Sequence, residues 1–155
     1  MAKILTARSP AQIEHVRALF TEYAASPGCS KCFRDFDKEV AELPGEYAAP
    51  EGRLLLALHR RKPAGCVGLS KADDGAAKMK RLYVRPQFRG KGIGRALAAA
   101  VIEAARESGY ERMRLYTFPF MREAIALYRT LGFKRVRAEG CWGRGKPVCM
   151  ELALR

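Results

Sequence analysis

The sequence is short of acid. Its 155 residues hold 16 Asp and Glu against 29 Lys and Arg, a formal charge of +13. It has two histidines, His15 and His59, set far apart, which gives no metal-binding cluster. Cys29 and Cys32 form a CxxC, but no second pair and no His group follow at zinc spacing. A redox CxxC should open a helix after a strand, whereas this one follows Pro27-Gly28. The cysteine count of five is odd and argues against a disulfide framework. Cys66 and Cys149 lie in apolar strand-like runs and are read as buried thiols. No apolar run approaches the ~20 residues of a membrane span; the longest, Ala96 to Ile102, is alanine-rich and sits inside a helical pattern. Residues Met1 to Leu5 lack the layout of a secretory signal, so no membrane partner and a cytoplasmic location are expected. There is no repeat, low-complexity tract or dividing linker, and one domain over residues 1–155 is expected.

Hydrophobic residues at 48% and charged residues at 29% are globular proportions. Lys3 to Ala7 reads as a strand. Ser9-Pro10 gives an N-cap with proline at the first helical position, and Ile13, Val16, Leu19, Phe20 and Tyr23 keep helical spacing. Asp35 or Asp37 caps a short helix ended by Pro44-Gly45. Arg53 to His59 and Gly65 to Ser70 read as paired strands turned by Arg61-Lys62-Pro63, and Asp73-Asp74-Gly75 turns into a third, Ala77 to Val84. A helix from about Gly92 carries Ile93, Leu97, Val101 and Ala104 on one face and stops at Gly109. Met113, Leu115 and Thr117 alternate as in a strand. A further helix carries Met121, Ala124, Ile125, Tyr128 and Leu131, and two strands close the chain. The order βααβββαβαββ implies an α/β fold with helices on both faces of the sheet.

Charge is concentrated where the chain turns from strand to helix. From Lys78 to Arg95 there are seven basic residues and no acid. The segment Leu82 to Arg95 is a strand, a break at Pro86, a glycine-rich turn and a helix start. Such a turn is an anion cradle: N–H groups at a helix N-terminus point outward, the helix dipole favours negative charge, and glycines let phosphate oxygens approach the backbone. A focused cluster of this kind favours a phosphate-bearing small ligand over a nucleic-acid face, and no aromatic-basic strand or helix-turn-helix pattern is present. The Walker spacing is absent, and Arg95 stands where a dinucleotide fingerprint needs its third glycine.

Arg89-Gly90-Lys91-Gly92-Ile93-Gly94 resembles the R/Q-x-x-G-x-G/A signature of the GNAT N-acetyltransferase superfamily. Lys80 to Pro86 resembles the family's splayed fourth strand, and Ala124 to Phe133 its second conserved block. The resemblance implies a mixed, twisted sheet of about six or seven strands split into a V, with about four helices. It implies acetyl-CoA as co-substrate, no metal, and direct attack by an amine of a small molecule or peptide. Main-chain groups of the Leu82-Tyr83-Val84 strand would pair with the pantetheine arm. Backbone N–H groups from Arg89 through Gly90, Lys91, Gly92, Ile93 and Gly94 to Arg95 would hold the pyrophosphate. Tyr128 matches the tyrosine that protonates the departing thiolate. Two positions depart from the pattern: Lys78 stands where a glutamate base is often found, and Met121 where an asparagine often helps hold the coenzyme arm. Glu22, Tyr23 and Asp35 fall in segments that line the acceptor side in relatives, and Phe33, Phe36, Tyr47 and Trp142 are candidates for its walls. Glu139 to Pro147 is the expected substrate-facing loop. The Lys78 departure keeps open a second reading, an acyl-CoA-binding sensor with little turnover. The acceptor, the base and dimerisation are left open.

Overall fold

The computed structural model describes residues 2–26, 36–137 and 146–155. Strand β1 (Ala2–Thr6) leads to α1 (Pro10–Ala24) through a reciprocal capping box. The Gln12 N–H donates to the Ser9 hydroxyl at 3.2 Å, and the Ser9 N–H donates to the Gln12 side chain at 3.1 Å. The order continues α2 (Phe36–Ala41), β2 (Arg53–His59), β3 (Lys62–Lys71), β4 (Ala77–Val84), α3 (Ile93–Glu107), β5 (Arg112–Thr117), α4 (Arg122–Thr130), β6 (Lys134–Val136) and β7 (Val148–Ala153). This is the expected order, with seven strands in one sheet arranged β1-β2-β3-β4-β5-β7-β6. The CxxC and Asp35, Phe33 and Trp142 lie outside the described residues, as does most of the Glu139 to Pro147 loop.

Each face of the sheet buries its own core. On one face Val67, Leu69, Ala77, Met79, Met113 and Leu115 pack with Leu97 and Val101 of α3 and with Tyr128 of α4. On the other, Leu54, Leu56, Cys66 and Tyr83 pack with Val16, Leu19 and Phe20 of α1 and with Tyr47. The alternation along each strand makes this two-sided arrangement. Cys66 and Cys149 are both fully buried.

One expected turn moves. The β2–β3 hairpin turns at Arg60-Arg61, which have φ of 51° and 69°, and Lys62 and Pro63 belong to β3. A two-residue loop with both φ positive matches the right-handed twist of its strands. Arginine is not a residue that announces that geometry, so Pro63 drew the expectation two residues late.

The sheet is continuous everywhere but at its centre. All neighbouring strands are antiparallel except β4 and β5, which run parallel and pair only at Ala77–Met113 and Lys78–Arg114. Beyond Lys78 the two strands separate. On its other edge β4 stays paired to β3 through a bulge: Cys66 faces Tyr83 and Gly68 faces Lys80, so Val67 alone opposes Arg81 and Leu82. A bulge bends its strand and increases its twist. Arg81 takes the left-handed conformation there, with φ 61°. Its guanidinium forms two parallel 2.8 Å hydrogen bonds to the Glu39 carboxylate of α2, with side-chain exposures of 9% and 8%. The Tyr47 hydroxyl donates to the same carboxylate at 2.8 Å.

Burial alone would raise the Glu39 carboxyl, but the hydrogen bonds and charge of Arg81, with Lys80 and Tyr47, overcome it and hold its pKa below the ordinary value. Removing one partner of a buried pair strands the other charge. Glu39→Ala is therefore expected to lower unfolding free energy by about 3 kcal/mol in urea at neutral pH. The carboxyl is depressed in the folded state, so its contribution is complete above the unfolded pKa and disappears as pH falls through the lower folded value. The difference between wild type and variant should narrow over that acid range; a constant difference would contradict the assignment.

Candidate active site

The separation of β4 from β5 leaves a slot, and three elements converge on it. Leu82 and Val84 line it from β4, Phe88, Arg89, Gly90, Gly92, Ile93 and Gly94 from the loop and the start of α3, and Met121, Glu123, Ala124, Leu127 and Tyr128 from α4 and the residue that caps it. Tyr23 of α1 reaches it from the other side. The cleft encloses about 240 Å³. A larger concavity of about 540 Å³ lies at the C-terminal end of α3, between Pro50, Lys71, Asp74 and Arg112. Its charged walls are already matched, Lys71 with Glu51 and Arg112 with Asp74, and no glycine-rich helix start opens on it, so we assign the site to the smaller cleft.

At the head of the cleft the loop is built to expose donors. Gly90 and Gly92 have φ of 78° and 79°, conformations that side chains resist, and Gly92 caps α3 without any side-chain bond. The first intrahelical bond runs from the Ala96 N–H to the Gly92 carbonyl at 3.0 Å. The N–H groups of residues 90–95 have no partner among the described residues. Gly94 differs from the other two. Its φ is ordinary, and an added Cβ would meet only Val84 Cγ2 at 3.7 Å. The fold does not require glycine there; a small residue keeps the space in front of it open.

Tyr128 is 8% exposed and packs edge-on to Phe133, with ring centroids 5.9 Å apart. Its hydroxyl makes no hydrogen bond among the described residues. Burial pushes its pKa up to about 12, so the phenol stays protonated. Other expected residues lie differently. The Tyr83 ring turns to the α1 face and stacks on Tyr23 at 5.2 Å. Arg89 folds back, its Nε donating to the Val84 carbonyl at 2.9 Å. Lys91 is exposed outside the cleft lining, and Arg95 reaches across to the Thr130 hydroxyl at 3.0 Å, tying α3 to α4. Met121 lines the cleft with its sulfur 3.3 Å from the Thr117 hydroxyl.

On the acceptor side the structure redistributes the expected residues. Glu22 is bound by Arg85, whose Nε lies 3.0 Å from both carboxylate oxygens. Tyr47 is 1% exposed and stands in the core against Phe20, so it offers packing rather than a wall. Phe36 lies under the Arg81 guanidinium at 5.8 Å. His15 is exposed on α1, and His59 packs on Phe88 at 5.5 Å. Glu39 was not foreseen. It is 42 residues from Arg81, and its only local signal was its place on a short amphipathic helix. Among the described residues there is no group of three metal-ligating side chains.

A split parallel pair with a glycine-rich helix start at its mouth is the arrangement the signature implied, and comparison with known proteins agrees. The model of the acetyltransferase (GNAT) family matches residues 13–133. The chain belongs to this family. Its activity is acetyl transfer. An uncharacterized N-acetyltransferase of Schizosaccharomyces pombe is 33% identical over 133 residues, covering 84% of this chain and 82% of that protein. An uncharacterized N-acetyltransferase of Escherichia coli is 31% identical over 147 residues, covering 92% and 87%. Among solved structures, a GNAT acetyltransferase of Staphylococcus aureus superposes with TM-score 0.81 at 18% identity over the whole of both chains. The PaiA N-acetyltransferase of Thermoplasma acidophilum, solved with coenzyme A, superposes with TM-score 0.75 at 20% identity over 99% of each.

Gly94 gives a clean test of the cleft. Alanine is the better helix former, so Gly94→Ala should raise the melting temperature by about 2 °C. Alanine, which the signature admits at this place, should leave coenzyme A affinity within about twofold, whereas Gly94→Val should weaken it at least about tenfold by calorimetry, since the branched side chain fills the approach to the free N–H groups. Unchanged affinity in Gly94→Val would remove this helix start from the site.

Proposed function

We propose that the chain, as one domain over residues 1–155, transfers the acetyl group of acetyl-CoA to the amine of a small molecule or peptide. The observation that carries this reading is the row of unpartnered N–H groups at residues 90–95, opening on the same cleft as the Tyr128 hydroxyl. Acetyl-CoA supplies a thioester that the neutral amine attacks directly, with the thiolate leaving.

The chain's own groups divide the work. The α3 N-terminus and the glycine turn hold the pyrophosphate by backbone donors in the positive field of the helix dipole. Arg89, Lys91 and Arg95 add charge around it. The open edge of β4 from Leu82 to Val84 offers main-chain groups to the pantetheine amides, as an added strand would. A main-chain N–H on this edge faces the developing oxyanion. Arg89 must release the Val84 carbonyl, or share it, when the arm enters. Tyr128 donates to the sulfur. An exposed thiol has a pKa of about 8.5, well below that of the phenol. The apolar wall that raises Tyr128 raises a thiolate beside it too, which narrows the gap. Tyr128 thus acts first as a hydrogen-bond donor to the forming thiolate and completes the transfer as the arm leaves. With Glu22 and Glu39 both held by arginines, the amine proton goes to water or to Glu123 at the cleft wall, or the acceptor arrives neutral. The reading places the protein in the cytoplasm, where the thiols of Cys66 and Cys149 stay reduced, and gives it no nucleic-acid or membrane partner.

Thiol release from acetyl-CoA over a panel of amines tests the reading. Tyr128→Phe should lower kcat by about a hundredfold with little change in coenzyme affinity. Because the phenol titrates so high, the variant should keep the wild-type pH profile below about pH 10. Tight coenzyme binding with no turnover on any amine would make the chain an acyl-CoA-binding module instead.

A further inference from the structure

Strands β4 and β5 contain five basic residues: Lys78, Lys80, Arg81, Arg112 and Arg114. Four of them are matched by carboxylates. Lys80 pairs with Glu46 at 3.1 Å, Arg81 with Glu39 at 2.8 Å, Arg112 with Asp74 at 2.8 Å, and Arg114 with both Asp74 at 2.7 Å and Glu151 at 2.9 Å. Lys78 has no carboxylate within ion-pair distance among the described residues. Its ammonium stands 5.9 Å from the centre of the Tyr116 ring and is otherwise unmatched.

Its position is as telling as its charge. Lys78 and Arg114 are the last paired residues before β4 and β5 part, so Lys78 stands at the apex of the slot. Its neighbours Ala77 and Met79 point into the core that packs on α3, so its own side chain points to the opposite face. The cleft is lined by β4, the loop, α3 and α4, with Tyr23 of α1 reaching it from the face that Lys78 shares. An acceptor reaching a thioester held there approaches from the face that Lys78 occupies. Lys78 is half-buried, and burial, with the charge of Lys80, lowers its pKa from the ordinary value against the opposing charges of Glu46 and Asp73. A half-buried ammonium with no carboxylate paired to it gains from an anion brought within hydrogen-bond reach.

We propose that Lys78 forms an acceptor subsite for a carboxylate, so that the substrate class is amines that carry their own carboxyl group, amino acids first among them. The proposal rests on the acetyl-transfer reading above and deepens it. A cationic acceptor would meet an unpaired like charge at the apex. An acceptor with a carboxylate supplies the counter-ion that the four neighbouring cations already have. The same lysine then selects the substrate in the place where a glutamate base is often found.

Matched pairs test it: α- and ω-amino acids of two to six carbons against their carboxamides, with thiol release from acetyl-CoA followed for each. Wild type should show kcat/KM at least about tenfold higher for the best carboxylate than for its carboxamide, the contribution of one charge-assisted hydrogen bond. Lys78→Arg should keep the preference, Lys78→Met should reduce it to within about twofold, and Lys78→Glu should invert it. Equal rates for the two members of every pair, or a preference that survives in Lys78→Met, would overturn the subsite and leave acetyl transfer standing. So would turnover of amines outside the panel with none inside it. Failure of acetyl-CoA to bind in calorimetry would instead sink the donor-site reading, and the subsite with it.

Discussion

The geometry of the site depends on a buried ion pair. Arg81 holds a left-handed backbone conformation in the middle of β4, a state that costs an ordinary residue of order 1–2 kcal/mol. Glu39, reaching in from α2, clamps its guanidinium with two hydrogen bonds. The residue that makes the bulge is thereby fixed from outside the sheet. Because the bulge turns β4, its far edge leaves β5 after Lys78, and the backbone groups that would have completed a parallel ladder are left for a ligand. A straight β4 would pair along its whole length with β5 and close the slot.

This explains why α2, which contributes no fully buried residue of its own, belongs to the site's support. Its carboxylate also receives the Tyr47 hydroxyl and lies 3.7 Å from Lys80. Tyr47 in turn packs against the face of Gly68, where an added Cβ would come within 2.5 Å of the ring. Core, bulge and slot are thus linked through one charged cluster between α2 and β4. On β4 and β5 the positive charge is tied down in pairs of this kind except at Lys78. The loop at α3 carries charge to the donor side, and the ammonium of Lys78 carries it to the acceptor side.

The element order was legible because the local signals agreed with the fold: the Ser9 cap forms its capping box, and the alternation of Met113, Leu115 and Thr117 and the stripe on α3 reappear as buried positions. The glycine loop was legible because its spacing carries its function. The hairpin at Arg60-Arg61 was not, since two arginines with positive φ have no composition cue. Nor was the bulge, whose left-handed residue is an arginine stabilised by a partner 42 positions away. Lys78 could be located from the sequence as a departure from a pattern. That it lacks a counter-ion while its neighbours have theirs is a property of the packed strands alone.

The central claim is that the free N–H groups of the α3 start and the open edge of β4 form one ligand surface. Hydrogen exchange with and without coenzyme A measures this directly. The account predicts slowed exchange for the amides of residues 90–95 and for the open edge of β4 between Leu82 and Val84, with no change around Ser108 to Arg112 beside the larger groove. Protection confined to that groove, or none at residues 90–95 at saturating coenzyme A, would contradict it.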